Sequence, residues 1–230
     1  MISLQNFLKY SKQFQNISKN LFNNVYKLDH YAYRTFDYSK IINNYSDYKL
    51  EPDKYEFKNN VSARWLSNNN NPSIFVSQYN GILYDKNIKN KTSINLDKLN
   101  YYIKNDTHLT DYSFYKQINE YDQYLSWTLQ FKNNINHVAF LVDDINETHY
   151  LIKNKFTKYQ INNPENPIQI SKDQNLLQFS IMSETIPYKF DNKVLEVPFT
   201  FIEFVERRHN RKGFESNNAE KIFESTKLIN

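Results

Sequence analysis

Hydrophobic and polar positions alternate with two periods along this chain, and the places where the period changes mark out an order of elements that occurs twice. Leu4, Phe7, Leu8, Phe14, Ile17, Leu21 and Val25 recur at helical spacing, which predicts an amphipathic helix over about residues 1–26. KLDHYAYRTF, residues 27–36, is aromatic and β-prone and predicts a strand. A short helical stretch follows around 38–48. YEF (55–57), VSARWL (61–66) and SIFVSQY (73–79) then predict three short strands, separated by polar turns and by Pro72. Module one, about 27–83, therefore reads β-α-β-β-β. Residues 84–130 are mostly polar and helical in character, ending in DYSFYKQINEYDQYLSWTLQF, and form a connector. Module two, about 131–208, repeats the order: NINHVAFLV (134–142) as strand, INETHYLIKNKF (145–156) as helix, then strands near 157–162, 168–170, 176–182 and 198–206. Residues 209–230 form a tail, with a basic turn and a short helix. The fold class is α+β, organised as one domain over 1–230.

The repeat brings chemistry with it. Each half opens on a strand that carries a histidine just after a polar residue, Asp29-His30 and Asn136-His137. The closing strands also correspond, which sets Gln78 and Glu203 in comparable places. If the first and last strands of both halves line one cavity, His30, Gln78, His137 and Glu203 surround a single point. Two histidines and one carboxylate suit non-haem ferrous iron and leave coordination positions open. Gln78, a neutral amide, is a weak ligand and reads as a hydrogen-bonding neighbour. Taken singly, a strand histidine is more often a satisfied core residue. Glu203 is harder to set aside, because Phe201, Ile202, Phe204 and Val205 surround it and an unpaired carboxylate is costly to bury. Its alternative is the wet face of an edge strand. His108, His149 and His209 lie in polar or charged stretches and read as surface.

Arg34 stands four residues after His30, so on a strand it shares that residue's face about 13 Å along. A guanidinium there can hold a carboxylate while the other end of the same molecule chelates the metal. An ion pair with Asp29, Asp37 or Glu51 fits the sequence equally well.

Composition narrows the classes. Aromatic residues make up 17% of the 230 positions, enough for a core of rings in a hydrophilic chain. The net charge of +4 falls short of the dense basic face of a nucleic-acid-binding domain. With no cysteine, disulfides, zinc ribbons and thiol nucleophiles are excluded. No apolar run is long enough to cross a bilayer. Residues 2–27 hold four lysines and no acid, but a transit peptide is usually richer in arginine. The expectation is a cytoplasmic protein that binds neither nucleic acid nor membrane.

DHYAYRTF, VSARWL followed by PSIFVSQ, the segment YDQYLSWTLQFKNNINHVAF, and LLQFS followed by FIEFVERR occur in an order that resembles the 2-oxoadipate dioxygenase/decarboxylase family, also called hydroxyglutarate synthases. The resemblance spans roughly residues 25–210. It implies a vicinal-oxygen-chelate, glyoxalase-like fold, with two paired βαβββ modules curving around a metal site. It further implies Fe(2+) held by His30, His137 and Glu203, and Arg34 on the substrate carboxylate. Gln178 and Ser180 match polar residues of a late family strand, and Arg64 is a further pocket candidate. The implied reaction is oxygen-dependent: a small 2-oxo acid, 2-oxoadipate in the relatives, loses carbon dioxide and is hydroxylated in the same site to 2-hydroxyglutarate, a step of lysine degradation. Gln78 stands where an acid is expected. A glyoxalase-like isomerase or lyase with Gln78 as fourth ligand, and an inactive binding protein of the same fold, are the competing readings.

Overall fold

The computed structural model describes residues 27–57, 60–67, 72–79 and 94–215, with positions 218 and 221. The helix expected over 1–26, and the first part of the connector, lie outside the described residues. Eight strands form one sheet: β1 (Leu28–Thr35), β2 (Tyr48–Phe57), β3 (Asn60–Ser67), β4 (Ser73–Tyr79), β5 (Asn134–Leu141), β6 (Gln169–Ile170), β7 (Leu176–Phe190) and β8 (Lys193–Arg207). Helix α1 (Ser39–Ile42) follows β1. Helices α2 (Leu96–Lys104), α3 (Tyr112–Tyr121) and α4 (Gln123–Phe131) make up the described connector, and α5 (Ile145–Lys155) follows β5.

The strand order is β2-β3-β4-β1-β5-β8-β7-β6. β1 and β5, the opening strands of the two modules, run antiparallel at the centre, and each lies parallel to a closing strand of its own module, β4 or β8. This is a pseudo-two-fold arrangement, with the first and last strands of both halves adjacent at the middle of the sheet.

Helical order is shorter than the sequence pattern predicts in module one: α1 covers only Ser39–Ile42, and Tyr48 already begins β2. Tyr33 and Tyr45 share a hydroxyl hydrogen bond of 2.6 Å, so this turn packs its rings against the sheet instead of continuing a helix. The strand expected near 157–162 reduces to a single bridge between Ile161 and Ile181. β7 and β8 run well past their predicted limits of 176–182 and 198–206, as a hairpin paired to Phe190 and Lys193. Its far half carries Phe190, Val197 and Phe199, which pack on Trp127 and Phe131 of α4. A patterned connector helix therefore explains strand length that the strands' own sequence does not announce.

One face of the sheet buries Tyr33, Ile74, Val76, Ile135, Val138, Phe140, Phe179, Ile202 and Phe204 against Ile41 of α1 and Ile145 and Ile152 of α5. Two register shifts decide what the opposite face receives. Leu28 pairs with Phe140 and His30 with Ala139, while Tyr33 pairs with Ile135 and Ala32 with His137. Asp29 and Asn136 are thus the extra residues of two symmetry-related β-bulges. Simple alternation would set Ile135 and His137 on one face; the bulge sends Ile135 to the core and His137 to the other side.

Candidate metal centre

On β1, the face opposite the core carries His30, Ala32 and Arg34. His30 meets the residues that β5 and β8 turn to the same side. His30 Nε2 lies 3.2 Å from His137 Nε2, and His137 Nε2 lies 3.6 Å from Glu203 Oε2. The three donor atoms all fall within 4.8 Å of one another, and they form the only such group of histidine, cysteine or acid side chains among the described residues. His30 is 1% exposed and Glu203 3%. Phe75, Phe201 and Phe214 wall the two imidazoles.

Each histidine is oriented by the bulge residue before it. His30 Nδ1 donates to Asp29 Oδ2 at 2.8 Å, and His137 Nδ1 faces Asn136 Oδ1 at 3.4 Å. With its Nδ1 proton held this way, each ring offers its Nε2 lone pair to the shared point. Asp29 is itself gripped by Arg207, whose Nε and Nη2 reach its two oxygens at 2.7 and 2.9 Å. Burial pushes the Asp29 carboxyl upward, but hydrogen bonds from His30 and Arg207 outweigh it and hold the group far below the usual carboxylate range.

Electrostatically, the cluster is short of positive charge. Burial lowers both imidazoles, and His137 is driven well below the usual histidine range by burial and then by the nearby His30 and Arg34. Burial, with repulsion from Asp29, pushes the Glu203 carboxyl up to about 8, against the opposing pull of Arg207. Glu203 Oε1 is buried with no hydrogen-bond partner among the described residues. Two imidazole nitrogens 3.2 Å apart and a buried carboxylate oxygen without a partner among the described residues are what a divalent cation would satisfy, so these residues fit a metal.

The register corrects one expectation. On β4, Ser73 stands beside His30 and Phe75 beside Ala32; on β8, Phe201 stands beside His137 and Glu203 beside Ala139. The counterpart of Glu203 in the first module is therefore Phe75, not Gln78. Gln78 lies at the far end of the strand beside Thr35, and its Oε1 accepts the Tyr38 backbone N–H at 3.0 Å. A four-ligand set completed by Gln78 has no support in this geometry. Equal placement in the sequence concealed a shift of three residues along the strand.

Arg34 occupies the same face and is buried, with its guanidinium carbon 3.3 Å from the ring centroid of Tyr124 and 5.6 Å from that of Trp127, both on α4. Burial lowers it to about 10, against Tyr124 and Asp122, which favour the charged form. The acids expected as its ion-pair partners have other engagements. Asp29 holds Arg207, Asp37 accepts from Ser39, and Glu51 lies 3.6 Å from Arg64. Arg64 is buried beyond His30 and donates from Nε to Ser73 Oγ at 3.0 Å. Ser180 sits directly across the β7–β8 ladder from Glu203, and Gln178 across from Val205. Ser180 Oγ accepts from Asn162 Nδ2 at 2.8 Å, while Gln178 Oε1 and Asn162 Oδ1 are buried without partners among the described residues.

Sequence reasoning thus placed its three donors together, with Arg34, Arg64 and Ser180 around them. It missed Tyr124, Phe75, Asn162 and Arg207. Tyr124 had a signal: Asp122 caps α4 and accepts from the Tyr124 and Leu125 N–H groups, fixing where that ring emerges.

No family model matches the chain. In sequence it is 29% identical over 136 residues to the Arabidopsis thaliana protein named 2-oxoadipate dioxygenase/decarboxylase, chloroplastic, a match covering 50% of this chain and 37% of that one. The match therefore spans well under half of the curated relative. In structure it is similar to the Oryza sativa hydroxyglutarate synthase solved in complex with 2-oxoadipate, with a TM-score of 0.75 and 20% identity, over 96% of this chain and 88% of that one. A protein described as a glyoxalase superfamily member from Ralstonia eutropha superposes with a TM-score of 0.66 at 14% identity, over 89% of this chain and 80% of the other. The chain thus has the α+β fold of the glyoxalase, vicinal-oxygen-chelate superfamily, and in sequence it is similar to 2-oxoadipate dioxygenase/decarboxylases.

Proposed function

We propose that this chain is a non-haem Fe(II)-dependent dioxygenase/decarboxylase of a small 2-oxo acid, with 2-oxoadipate the first candidate and 2-hydroxyglutarate and carbon dioxide the products. The observation that carries the reading is the donor set: two imidazoles and one carboxylate converge, and an aromatic ring stands where the pseudo-two-fold would put a fourth ligand. Three ligands leave positions for a chelating substrate and for dioxygen, as oxygen-activating ferrous sites require. The curated relatives' names and the 2-oxoadipate bound to the rice structure point to the same substrate class.

His30, His137 and Glu203 would hold the iron, which supplies the redox chemistry and a Lewis acid for the 2-oxo carboxylate. Asp29 and Asn136 keep the Nδ1 protons in place, so both Nε2 lone pairs stay available. Arg34, braced by Tyr124, holds the substrate's remote carboxylate and so selects a dicarboxylate. Gln178 and Ser180 line the β7 side of the pocket and Arg64 the β3 side. The rings of Phe75, Phe201, Phe214 and Trp127 exclude water from the place where the substrate would bind. The overall reaction balances: one 2-oxoadipate and one dioxygen give one 2-hydroxyglutarate and one carbon dioxide.

A place in lysine degradation follows from the same substrate. A compartment such as the cytoplasm suits a cysteine-free protein of this kind, and no described helix is long and apolar enough to cross a membrane.

The test is oxygen uptake by protein reconstituted anaerobically with ferrous iron and then given air and a panel of 2-oxo acids. Uptake matched by carbon dioxide release is expected with 2-oxoadipate. Stoichiometric iron binding without uptake, or turnover that needs no oxygen, would overturn the dioxygenase reading.

A further inference from the structure

Arg207 lies on β8 four residues beyond Glu203, on the same face, and one guanidinium reaches in two directions. Its Nε and Nη2 grip both oxygens of Asp29, the residue that holds His30 Nδ1. Its Nη1 donates to the carbonyl of Gly213 at 2.8 Å and to that of Arg211 at 3.4 Å. Gly213 has φ 76°, a left-handed conformation that glycine adopts at no steric cost, and this turns the chain back toward the sheet. The next residue, Phe214, then sets its ring edge-on to His30 at 4.9 Å and against Phe75 at 4.9 Å, with the guanidinium of Arg207 itself 4.8 Å from the ring centroid. The turn is also pinned from outside, by an ion pair of Arg211 with Asp173 and by Glu215 Oε2 accepting the Lys172 N–H at 2.9 Å.

His30 is therefore held on two sides by contacts that meet at one side chain. We propose that Arg207 is a positioning residue that fixes the His30 ring through Asp29 and, by holding the Gly213 carbonyl, seats Phe214 as the closing wall of the same site. Asp29 and Arg207 are 6% and 9% exposed, so the bidentate pair is shielded from salt and its geometry is worth more than that of a surface pair. Loss of the fork frees the Asp29 carboxylate to rotate, and with it the His30 ring. It also releases the two carbonyls of the turn that Arg207 holds, so ligand alignment and closure fail together. A lysine in its place keeps the charge but reaches one oxygen at a time, and restores alignment in part.

The inference rests on His30 being a metal ligand, and the experiment separates the two claims. Wild type, Arg207→Lys, Arg207→Gln and Phe214→Ala are compared in two measurements: anaerobic titration with Co(II), followed by its visible d–d absorption, and the rate of tryptic cleavage after Arg211 and Lys212 in metal-free protein. Arg207→Gln is expected to weaken Co(II) binding by roughly 10- to 100-fold and change the d–d band shape, as loss of a ligand's orienting partner does. Cleavage of the turn should quicken several-fold in the same variant. Arg207→Lys should fall between it and wild type in both measurements, and it carries the test if Arg207→Gln does not fold. Phe214→Ala should quicken cleavage while leaving most of the Co(II) affinity. Unchanged Co(II) binding in Arg207→Gln and Arg207→Lys would overturn the alignment role, and unchanged cleavage would overturn the seating role. Wild-type protein that binds no Co(II) would instead sink the metal-site reading, while the cleavage rates would still decide whether Arg207 seats the turn.

Discussion

If the chain works as proposed, Arg34 is the residue on which substrate choice turns. It is buried against Tyr124 and Trp127, it shares a face with His30, and its charge is felt at His137. A charge-assisted contact of this sort is worth about 1.5–3 kcal/mol. Arg34→Ala should therefore raise KM for 2-oxoadipate by roughly 10- to 100-fold, with metal affinity little changed. A 2-oxo acid of similar length but without the second carboxylate should show almost no further loss; an equal loss for both acids would mean that Arg34 acts on the site's structure and not on the substrate. Tyr124→Phe keeps the ring under the guanidinium and should cost much less than Tyr124→Leu, measured as KM on the same substrate. His137→Ala removes a donor outright, and iron titration of that variant should give no stoichiometric binding.

At the scale of the strands, the site depends on two bulges. Asn136 is the extra residue that sends His137 to the site face, and its amide is the partner of the ring's Nδ1. Asn136→Ala should leave the strand in place but weaken metal binding, by about tenfold, toward the low end for such partners because the 3.4 Å contact is long. A metal affinity equal to wild type in a titration would show that the bulge alone aims the ring. Here the sequence was partly legible. A polar residue before each histidine marked the repeat, and the order of strands followed from hydrophobic period. What the period could not give was register. Gln78 and Glu203 look equivalent by position in their strands, but pairing with β1 and β5 makes Phe75 the counterpart, because register is set by cross-strand packing and not by distance from a strand's end. The long β7–β8 hairpin was missed for a related reason: its outer half is ordered by Trp127 and Phe131 of α4, far away in sequence.

For the molecule as a whole, the cluster of His30, His137 and Glu203 is a local conflict inside a well-packed sheet. Glu203 is 3% exposed and its Oε1 lacks a partner among the described residues, while two imidazole nitrogens face each other at 3.2 Å. These groups come from β1, β5 and β8, so a cation binding them would tie the two modules together across the central strand pair. A ligand that binds only the folded state stabilises it by about 2.7 kcal/mol at a free concentration of 100 Kd. For a chain of this length that corresponds to a rise in Tm of roughly 5–10 °C, given about 2–4 °C per kcal/mol. Ferrous iron or Co(II) should produce such a rise under anaerobic conditions, and a chelator should reverse it. Glu203→Gln separates this linkage from ordinary ion effects. The amide removes a buried carboxylate whose Oε1 has no partner among the described residues, so without metal the variant should melt no lower than wild type, yet it should respond little to added metal. Calorimetry on both proteins with and without Co(II) would decide it. A Tm that rises equally in wild type and Glu203→Gln would mean that the ion stabilises the protein somewhere other than at His30, His137 and Glu203.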